Sequence, residues 1–231
     1  MEPAGVGPRA SEIGFEALIP DPSRRPHFGE GELALDPAKS VFINCPFDAE
    51  YAALFDAIVF AAVCCGFTPR CALESGDVSE TRLARITHAI FISRYSIHDL
   101  SRCTGEGEEN FGRFNMPLEL GIAMARRFMD PAEEHDWLVL VPRGHAYLRF
   151  ISDLAAYDPP RHDGSVAGVV GAVVAWLSTR KDAVEPVTPR EVLALLPQFM
   201  REKARLEAAW CGPPPWADVV LAAFRVARSA G

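Results

Sequence analysis

The stretch SVFINCPFDAEYAALFDAIVFAAVCCG, residues 40–66, decides the fold of this chain. It begins with a short apolar run, residues 40–44, of the kind that forms a strand buried on both faces. After the turn CPFD, apolar residues recur at helical spacing from about Asp48 to Cys65, and Gly66 is placed to end the helix. A buried strand followed at once by an apolar helix is typical of an α/β protein.

The same alternation of strand and helix patterns continues along the chain. Further strands are predicted at 68–74, 89–96 and 137–141, with a weaker fifth strand around 154–157. Helices are predicted at 79–89, where Ser79 is placed as the cap, from about 115 to 128 and from about 165 to 178. Such alternation predicts a parallel sheet of about five strands with helices on both faces.

The composition along the chain divides it into three parts. Residues 1–38 are rich in Pro, Gly and acidic side chains, which is typical of a partly flexible arm. Residues 39–180 contain the alternating strands and helices. Residues 181–231 contain two amphipathic helices separated by GPPP, residues 212–215, and we expect their apolar faces to pack on the α/β domain.

The charge and cysteine content excludes several classes of function. The formal net charge is −8 and no basic run occurs, which argues against general nucleic-acid binding. No window reaches the roughly 18 uninterrupted apolar residues of a membrane span, and no secretory signal is visible, so we expect a cytoplasmic protein without membrane association. The six cysteines lack the spacing of a zinc site, so we expect reduced thiols and no metal.

Polar side chains are concentrated where the predicted strands end. In an open parallel sheet, ligands bind beyond the carboxyl ends of the strands, where the strand order reverses. The loops expected there carry Asn44, Asp48, Glu74, His98, Asp99, Ser101 and Arg102. These residues form the first set of candidate ligand contacts.

The segment RFNMPLELGIAMARRF, residues 113–128, contains the clearest single candidate, Glu119. Pro117 suits the first turn of a helix, with Asn115 or Met116 as the cap and Glu119 also in the first turn. There the helix dipole favours a carboxylate by about 0.3–1 kcal/mol. The pattern therefore predicts an ionised carboxylate directed into the crevice, and the alternative interpretation is a purely structural stabiliser of the helix start.

Three segments in order carry a family resemblance: VFINCPFD (41–48), DLS (99–101) and NMPLELGIA (115–123). They are similar to motifs of the nucleoside 2-deoxyribosyltransferase-like and TIR-like superfamily, and the resemblance covers about residues 40–145. It implies a flavodoxin-like fold and cleavage of an N-glycosidic bond in a nucleoside, a nucleotide or NAD. NAD would be a substrate, and no cofactor is expected. The Phe-Asn-Met-Pro sequence before the helix replaces the transferases' usual Asp and Gly-Thr, which argues against base exchange specifically.

The resemblance implies roles for individual residues. The glutamate of the family maps to Glu119 and its acidic residue near the third strand maps to Asp99. A carboxylate at the anomeric carbon stabilises or attacks an oxocarbenium-like centre, and Asp99, His98 or Asp48 would assist the departing base. Asn115 would hold sugar hydroxyls, while Arg70, Arg102 or Arg113 would pair with a phosphate. The predicted substrate-binding residues are Asn44, Pro46, Phe47, Asp48, Tyr51, Glu74, His98, Ser101, Arg102, Asn115 and Met116.

Two classes of function remain open at this point. One is an N-glycosidase in which Glu119 and a second acid–base group converge on a cavity. The other is a non-catalytic module that senses a nucleotide-type ligand or self-associates, as TIR-type domains do in bacterial defence or signalling, with Glu119 closed off by an arginine. A Cys45 thiolate paired with the His98 imidazole is a weaker hypothesis, because buried cysteines usually serve as small apolar residues.

Overall fold

The chain folds around a five-stranded sheet whose first strand, at residues 40–44, is buried along its whole length. A computed structural model describes residues 36–74, 81–102, 114–129, 134–144, 147–149, 151–184 and 187–229. All strand pairs in it are parallel, in the order β2-β1-β3-β4-β5. The strands are β1 (Ser40–Asn44), β2 (Thr68–Cys71), β3 (Tyr95–Asp99), β4 (Asp136–Pro142) and β5 (Arg161–His162). This is the flavodoxin-like order, so the predicted fold class is confirmed.

Helices cover both faces of the sheet. They are α1 (Ala52–Cys64), α2 (Arg82–Phe91), α3 (Asn115–Met129), α4 (Val166–Leu177), α5 (Pro189–Trp210) and α6 (Trp216–Arg228). Helices α1 and α4 lie on one face, and α2 and α3 lie on the other. Helices α5 and α6 pack on α1, where they form a further layer. No helix in the described ranges is long and apolar enough to cross a bilayer.

Helix α1 is enclosed by the sheet on one side and by three helices on the other. Its residues from Phe55 to Val63 are all buried. Apolar side chains therefore project from all sides of the helix and do not form a single stripe. The one charged residue in this run is Asp56, and Lys203 of α5 places its ammonium 2.8 Å from both carboxylate oxygens. Burial raises the pKa of the Asp56 carboxyl, and the Lys203 charge counteracts that effect.

The two C-terminal helices pack as their apolar faces predict. Val192 and Phe199 of α5 are fully buried in the same core as α1, and the ring of Phe199 stacks on Phe60 with centroids 5.1 Å apart. At the start of α6, the indole Nε1 of Trp216 donates to the carbonyl of Pro69 in the edge strand β2 (3.1 Å). Residues 1–35, most of the predicted arm, lie outside the described residues.

The boundary between α2 and β3 differs from the prediction. The run at 89–91 continues α2, because Ile86, Ala89 and Ile90 lie at helical spacing and pack on Phe42 of the sheet. Strand β3 therefore starts at Tyr95, not at 89. Thr81 caps α2 by accepting from the Ala84 N–H, while the predicted cap at position 79 lies outside the described residues.

The prediction of a fifth strand at 154–157 is wrong. That segment belongs to a 3₁₀-helix, Ser152–Ala156, which buries Leu154 against β4 and α3 residues. The fifth strand is only two residues long and comes later, where Arg161 and His162 pair with Val141 and Pro142. A strand of two residues shows no alternation that a sequence pattern can detect.

We predict that Lys203→Met destabilises the fold by about 3 kcal/mol, because it leaves the Asp56 carboxylate buried without its counter-ion. Urea unfolding monitored by circular dichroism measures this change. The double variant Asp56→Leu/Lys203→Met should recover most of the loss, since two apolar side chains replace both charges. A double variant as unstable as the single one would contradict the role of the ion pair.

Candidate functional site

The candidate site lies where the strand order reverses between β1 and β3. The chain leaves β1 toward β2 on one side and later returns to β3 on the other, so the loops after β1 and β3 diverge. Strand β1 ends at Asn44 and β3 ends at Asp99. In parallel sheets such a divergence leaves a crevice at the carboxyl edge, where ligands bind.

Asp99 is a fully buried carboxylate that its own loop holds in place. Its exposed fraction is 0%, and the backbone N–H of Ser101 donates to Oδ1 (2.7 Å). The imidazole Nε2 of His162 lies 3.1 Å from Oδ2, without the alignment of a good hydrogen bond. Gly164 N–H donates to Nδ1 of the same ring, so Nε2 is the nitrogen that faces Asp99.

Tyr51 lies beside this carboxylate. Its ring is buried at the start of α1, and burial followed by the negative charge of Asp99 raises the pKa of its phenol well above the usual value. The hydroxyl therefore stays protonated at any physiological pH. The ring of this predicted substrate-binding residue belongs to the core, so it is not free to stack on a nucleobase.

Glu119 lies on the buried stripe of α3. That stripe consists of Met116, Glu119, Leu120, Ala123 and Arg126. Glu119 is only 3% exposed, and within the described residues its carboxylate makes no hydrogen bond or ion pair. Burial raises its pKa to about 7, while the more distant charge of Arg82 acts in the opposite direction.

The prediction that Glu119 lies in the first turn of α3, where the helix dipole would stabilise its carboxylate, is wrong. Asn115 is already helical, and the Leu118 N–H donates to the Phe114 carbonyl (3.1 Å). Glu119 therefore opens the second turn, and neither Asn115 nor Met116 is the cap. The dipole effect is largely confined to the first turn, so desolvation dominates and the protonated form of Glu119 is favoured.

Cys45 is buried at this edge of the sheet and is not a nucleophile. Burial, then the charges of Asp99 and Glu119 among others, raise the pKa of its thiol well above the usual value. His98 does not activate it, because both ring nitrogens already have partners in Asn44 and Ser96. Burial lowers the pKa of His98 to about 3, so the ring is neutral. The thiolate–imidazole hypothesis is therefore wrong.

Asn44 joins β1 to the start of α3. Its side-chain Nδ2 donates to the carbonyl of Met116 (2.9 Å) and lies 3.0 Å from Nδ1 of His98. All three groups are buried. The predicted ligand contacts Asn44, His98 and Met116 are thus brought together, although as a buried, hydrogen-bonded unit.

The arginines at this edge are engaged by carboxylates of the chain itself. Arg102 donates to both oxygens of Asp48 (3.1 and 3.2 Å) and to Glu50 (2.7 Å). Arg70 donates to Glu74 at 2.8 Å. The charges of Arg70 and Arg102 are therefore largely neutralised, and a substrate phosphate would have to displace these pairs. Arg113 lies outside the described residues.

The remaining predicted contacts are spread around the rim. Pro46 is buried, whereas Phe47 is 38% exposed and packs edge-on against Phe55. Asn115 is exposed at the start of α3, and the Ser101 hydroxyl is 3.5 Å from Nε2 of His162. His162 was considered as a residue that caps the site, but a solvent-exposed turn rich in Pro and Asp was the preferred interpretation of its segment. It is the second residue of β5, and its ring is buried.

Comparison with protein-family models and with curated proteins finds no match for this chain. The interpretation of the site therefore depends on its own geometry. Within the described ranges, no group of three or more His, Cys, Asp or Glu side chains is arranged to hold a metal ion. What the edge offers chemically is a pair of buried carboxylates, one bound by its own loop and the other without a partner among the described residues.

We predict that the pH dependence of stability identifies Glu119. A carboxyl group whose pKa is raised on folding stabilises the protein at low pH, and this contribution is lost as pH rises through about 7. From pH 5 to pH 8, the free energy of unfolding of wild type should fall by about 3 kcal/mol more than that of Glu119→Gln, because the variant lacks this carboxyl group. Urea unfolding of both proteins across this range measures the difference, and parallel profiles would refute the burial of a titrating Glu119.

Proposed function

We propose that this protein cleaves the N-glycosidic bond of a nucleoside-type substrate, with Glu119 acting at the anomeric carbon. One observation carries the proposal. Glu119 is a buried carboxylate at the ligand-binding edge of a flavodoxin-like sheet, and no partner within the described residues uses its charge. A buried ionisable group without a structural partner is costly to maintain, and such groups are concentrated at functional sites.

The chemistry of glycosidic cleavage matches this carboxylate. As the C1′–N bond breaks, positive charge develops on the sugar, and an ionised carboxylate at the anomeric face stabilises it or bonds to it. Water then adds to C1′ and the base departs with a proton. With a pKa of about 7, Glu119 is ionised in part of the population at neutral pH.

Asp99 has a different part in this proposal. Its Oδ1 already accepts from its own loop, and none of its side chain is exposed, so we assign it an effect through its charge and not through contact. Its negative charge is held behind the crevice by the Ser101 N–H and faced by His162. Fixed charges of this kind act over distance in a water-poor site, so Asp99 would favour the positively charged transition state without moving.

The charge of the edge favours a nucleoside over a nucleotide or NAD. Arg70 and Arg102 are the natural phosphate ligands at this position, and both are bound by carboxylates of the chain. A phosphate would compete with Glu74 in one case and with Asp48 and Glu50 in the other. An uncharged substrate has no such competition.

A second candidate function is a non-catalytic module that binds a nucleotide-type ligand or a second copy of itself. The burial of Asp99 and Glu119 favours it, because none of Asp99 and only 3% of Glu119 is exposed. The exposed rings of Phe128 and Tyr157, which contact Trp137 edge-on and at a tilt respectively, also offer an apolar surface.

A base-release assay tests the catalytic proposal. Wild type is incubated with purine and pyrimidine nucleosides, nucleoside monophosphates and NAD, and free base is followed by chromatography. We expect release from nucleosides first, and a loss of at least about 100-fold in Glu119→Gln. The matched control is Glu50→Gln, which removes the same charge from an exposed side chain at the same end of the sheet.

The pH profile of that assay distinguishes the role of the carboxylate. If ionised Glu119 acts at the anomeric carbon, the rate should rise with pH through about 7 and then level off. No release from any substrate, together with ligand-induced thermal shifts of equal size in wild type and Glu119→Gln, would refute the catalytic function and favour the non-catalytic module.

A further inference from the structure

Four buried polar side chains form a continuous hydrogen-bonded row between the sheet and α3. We call Asn44, His98, Ser96 and His135 the polar row. Asn44 Nδ2 is 3.0 Å from His98 Nδ1, His98 Nε2 is 2.9 Å from the Ser96 hydroxyl, and that hydroxyl is 3.1 Å from His135 Nε2. Each of the four is at most 1% exposed. The row runs from the carboxyl end of β1 to the amino end of β4.

The Met116 carbonyl fixes the donor and acceptor roles at the Asn44 end of the row. Asn44 Nδ2 also contacts the Met116 carbonyl, which accepts only, so this atom is the amide nitrogen and His98 Nδ1 must accept from it. The neutral His98 ring therefore carries its proton on Nε2 and donates to Ser96. The Ser96 hydroxyl continues the row to Nε2 of His135, and Nδ1 of that ring lies 2.9 Å from the Ser93 carbonyl and 3.0 Å from Nη1 of Arg126. Because the Met116 carbonyl accepts only, the amide of Asn44 cannot turn over.

Both ends of the row reach α3. At one end, Asn44 holds the Met116 carbonyl in the first turn of the helix, three residues before Glu119. At the other end, Arg126 of α3 donates to the carbonyls of Ile90 (2.7 Å) and Ser93, and the Ser93 carbonyl also faces His135. The helix that carries Glu119 is thus bound to the sheet side at its first and last turns.

We propose that Asn44 is a positioning residue, oriented by the polar row, that sets the depth at which α3 presents Glu119. An effect of Asn44 on catalysis rests on the proposed glycosidase activity. The positioning of Glu119 by Asn44 does not depend on that activity. Burying four polar side chains brings little net stability, because each hydrogen bond mainly offsets lost hydration. What the row gains over an apolar layer is a unique arrangement of donors and acceptors, which fixes the helix start to one position.

The titration of Glu119 itself measures this positioning. In the full-length chain, ¹³C NMR follows the Glu119 carboxyl resonance against pH, with Glu119→Gln used for its assignment. Asn44→Leu keeps a similar volume but releases the Met116 carbonyl. We expect its Glu119 midpoint to fall by at least about one pH unit, a tenfold change in proton affinity, because the helix start separates and water reaches the carboxylate.

The matched control is Val173→Ala, which removes core volume on the opposite face of the sheet. It should lower the global stability and leave the Glu119 midpoint unchanged, since folded molecules keep the same site. An unchanged midpoint in Asn44→Leu, in a folded protein, would overturn the proposal.

His98 provides a second, independent pair of variants if Asn44→Leu does not fold. His98→Leu removes the acceptor that orients Asn44, whereas His98→Gln supplies an acceptor toward Asn44 and a donor toward Ser96. We expect the Glu119 midpoint to fall in the first and to return toward the wild-type value in the second. Equal midpoints in the two variants would overturn the proposal.

The titration needs no substrate, so it separates this inference from the proposed function. A wild-type chain that releases no base would refute the glycosidase and leave the titration as the test of positioning. If wild type releases base, kcat should be lower in Asn44→Leu than in wild type. It should also be lower in His98→Leu than in His98→Gln. A kcat unaffected by Asn44→Leu would contradict positioning of a catalytic Glu119.

Discussion

The parallel pairing of β1 with β3 is the constraint on which the rest of the structure depends. It aligns Asn44 with His98 across the two central strands. Because side chains alternate along a strand, His98 faces α3 while Asp99, one residue later, faces α1. The two carboxylates of the site therefore approach the same edge from opposite faces of the sheet, and the charge of each raises the pKa of the Cys45 thiol. A one-residue change in the register of β3 would turn His98 away from α3 and break its contact with Asn44.

The polar groups on the two sides of the sheet have different surroundings. On the side of α1, a further layer of helices encloses the core, and the one charge buried in α1, Asp56, is matched by Lys203. On the side of α3, the buried polar groups form a bonded row, and Arg126 ends on backbone carbonyls. Among the polar side chains on the buried stripe of α3, Glu119 alone has no hydrogen bond or ion pair in the described parts of the chain. That contrast, more than burial itself, distinguishes it from the structural charges.

Sequence patterns predicted the elements whose signals are local. The apolar run of β1, the span of α4 and the proline-bounded helices α5 and α6 all lie close to their expected positions. The run at 89–92, Ala-Ile-Phe-Ile, suits a strand as well as a helix, and only its packing on Phe42 decides between them. The state of Glu119 was not predictable either, since its pKa depends on neighbours from distant segments. The same holds for His162, which meets Asp99 only after the sheet has formed.

Strand β2 is an edge of the sheet, and edges invite a further strand from another molecule. Here Pro69 brings no N–H to that edge, and its carbonyl is occupied by the indole of Trp216. The ring of Trp216 also stacks on Phe55, so the start of α6 acts as a clamp across the border of the sheet. Growth of the sheet by strand addition is thereby obstructed at β2, and copies of this chain that associate on that side have to meet through helices.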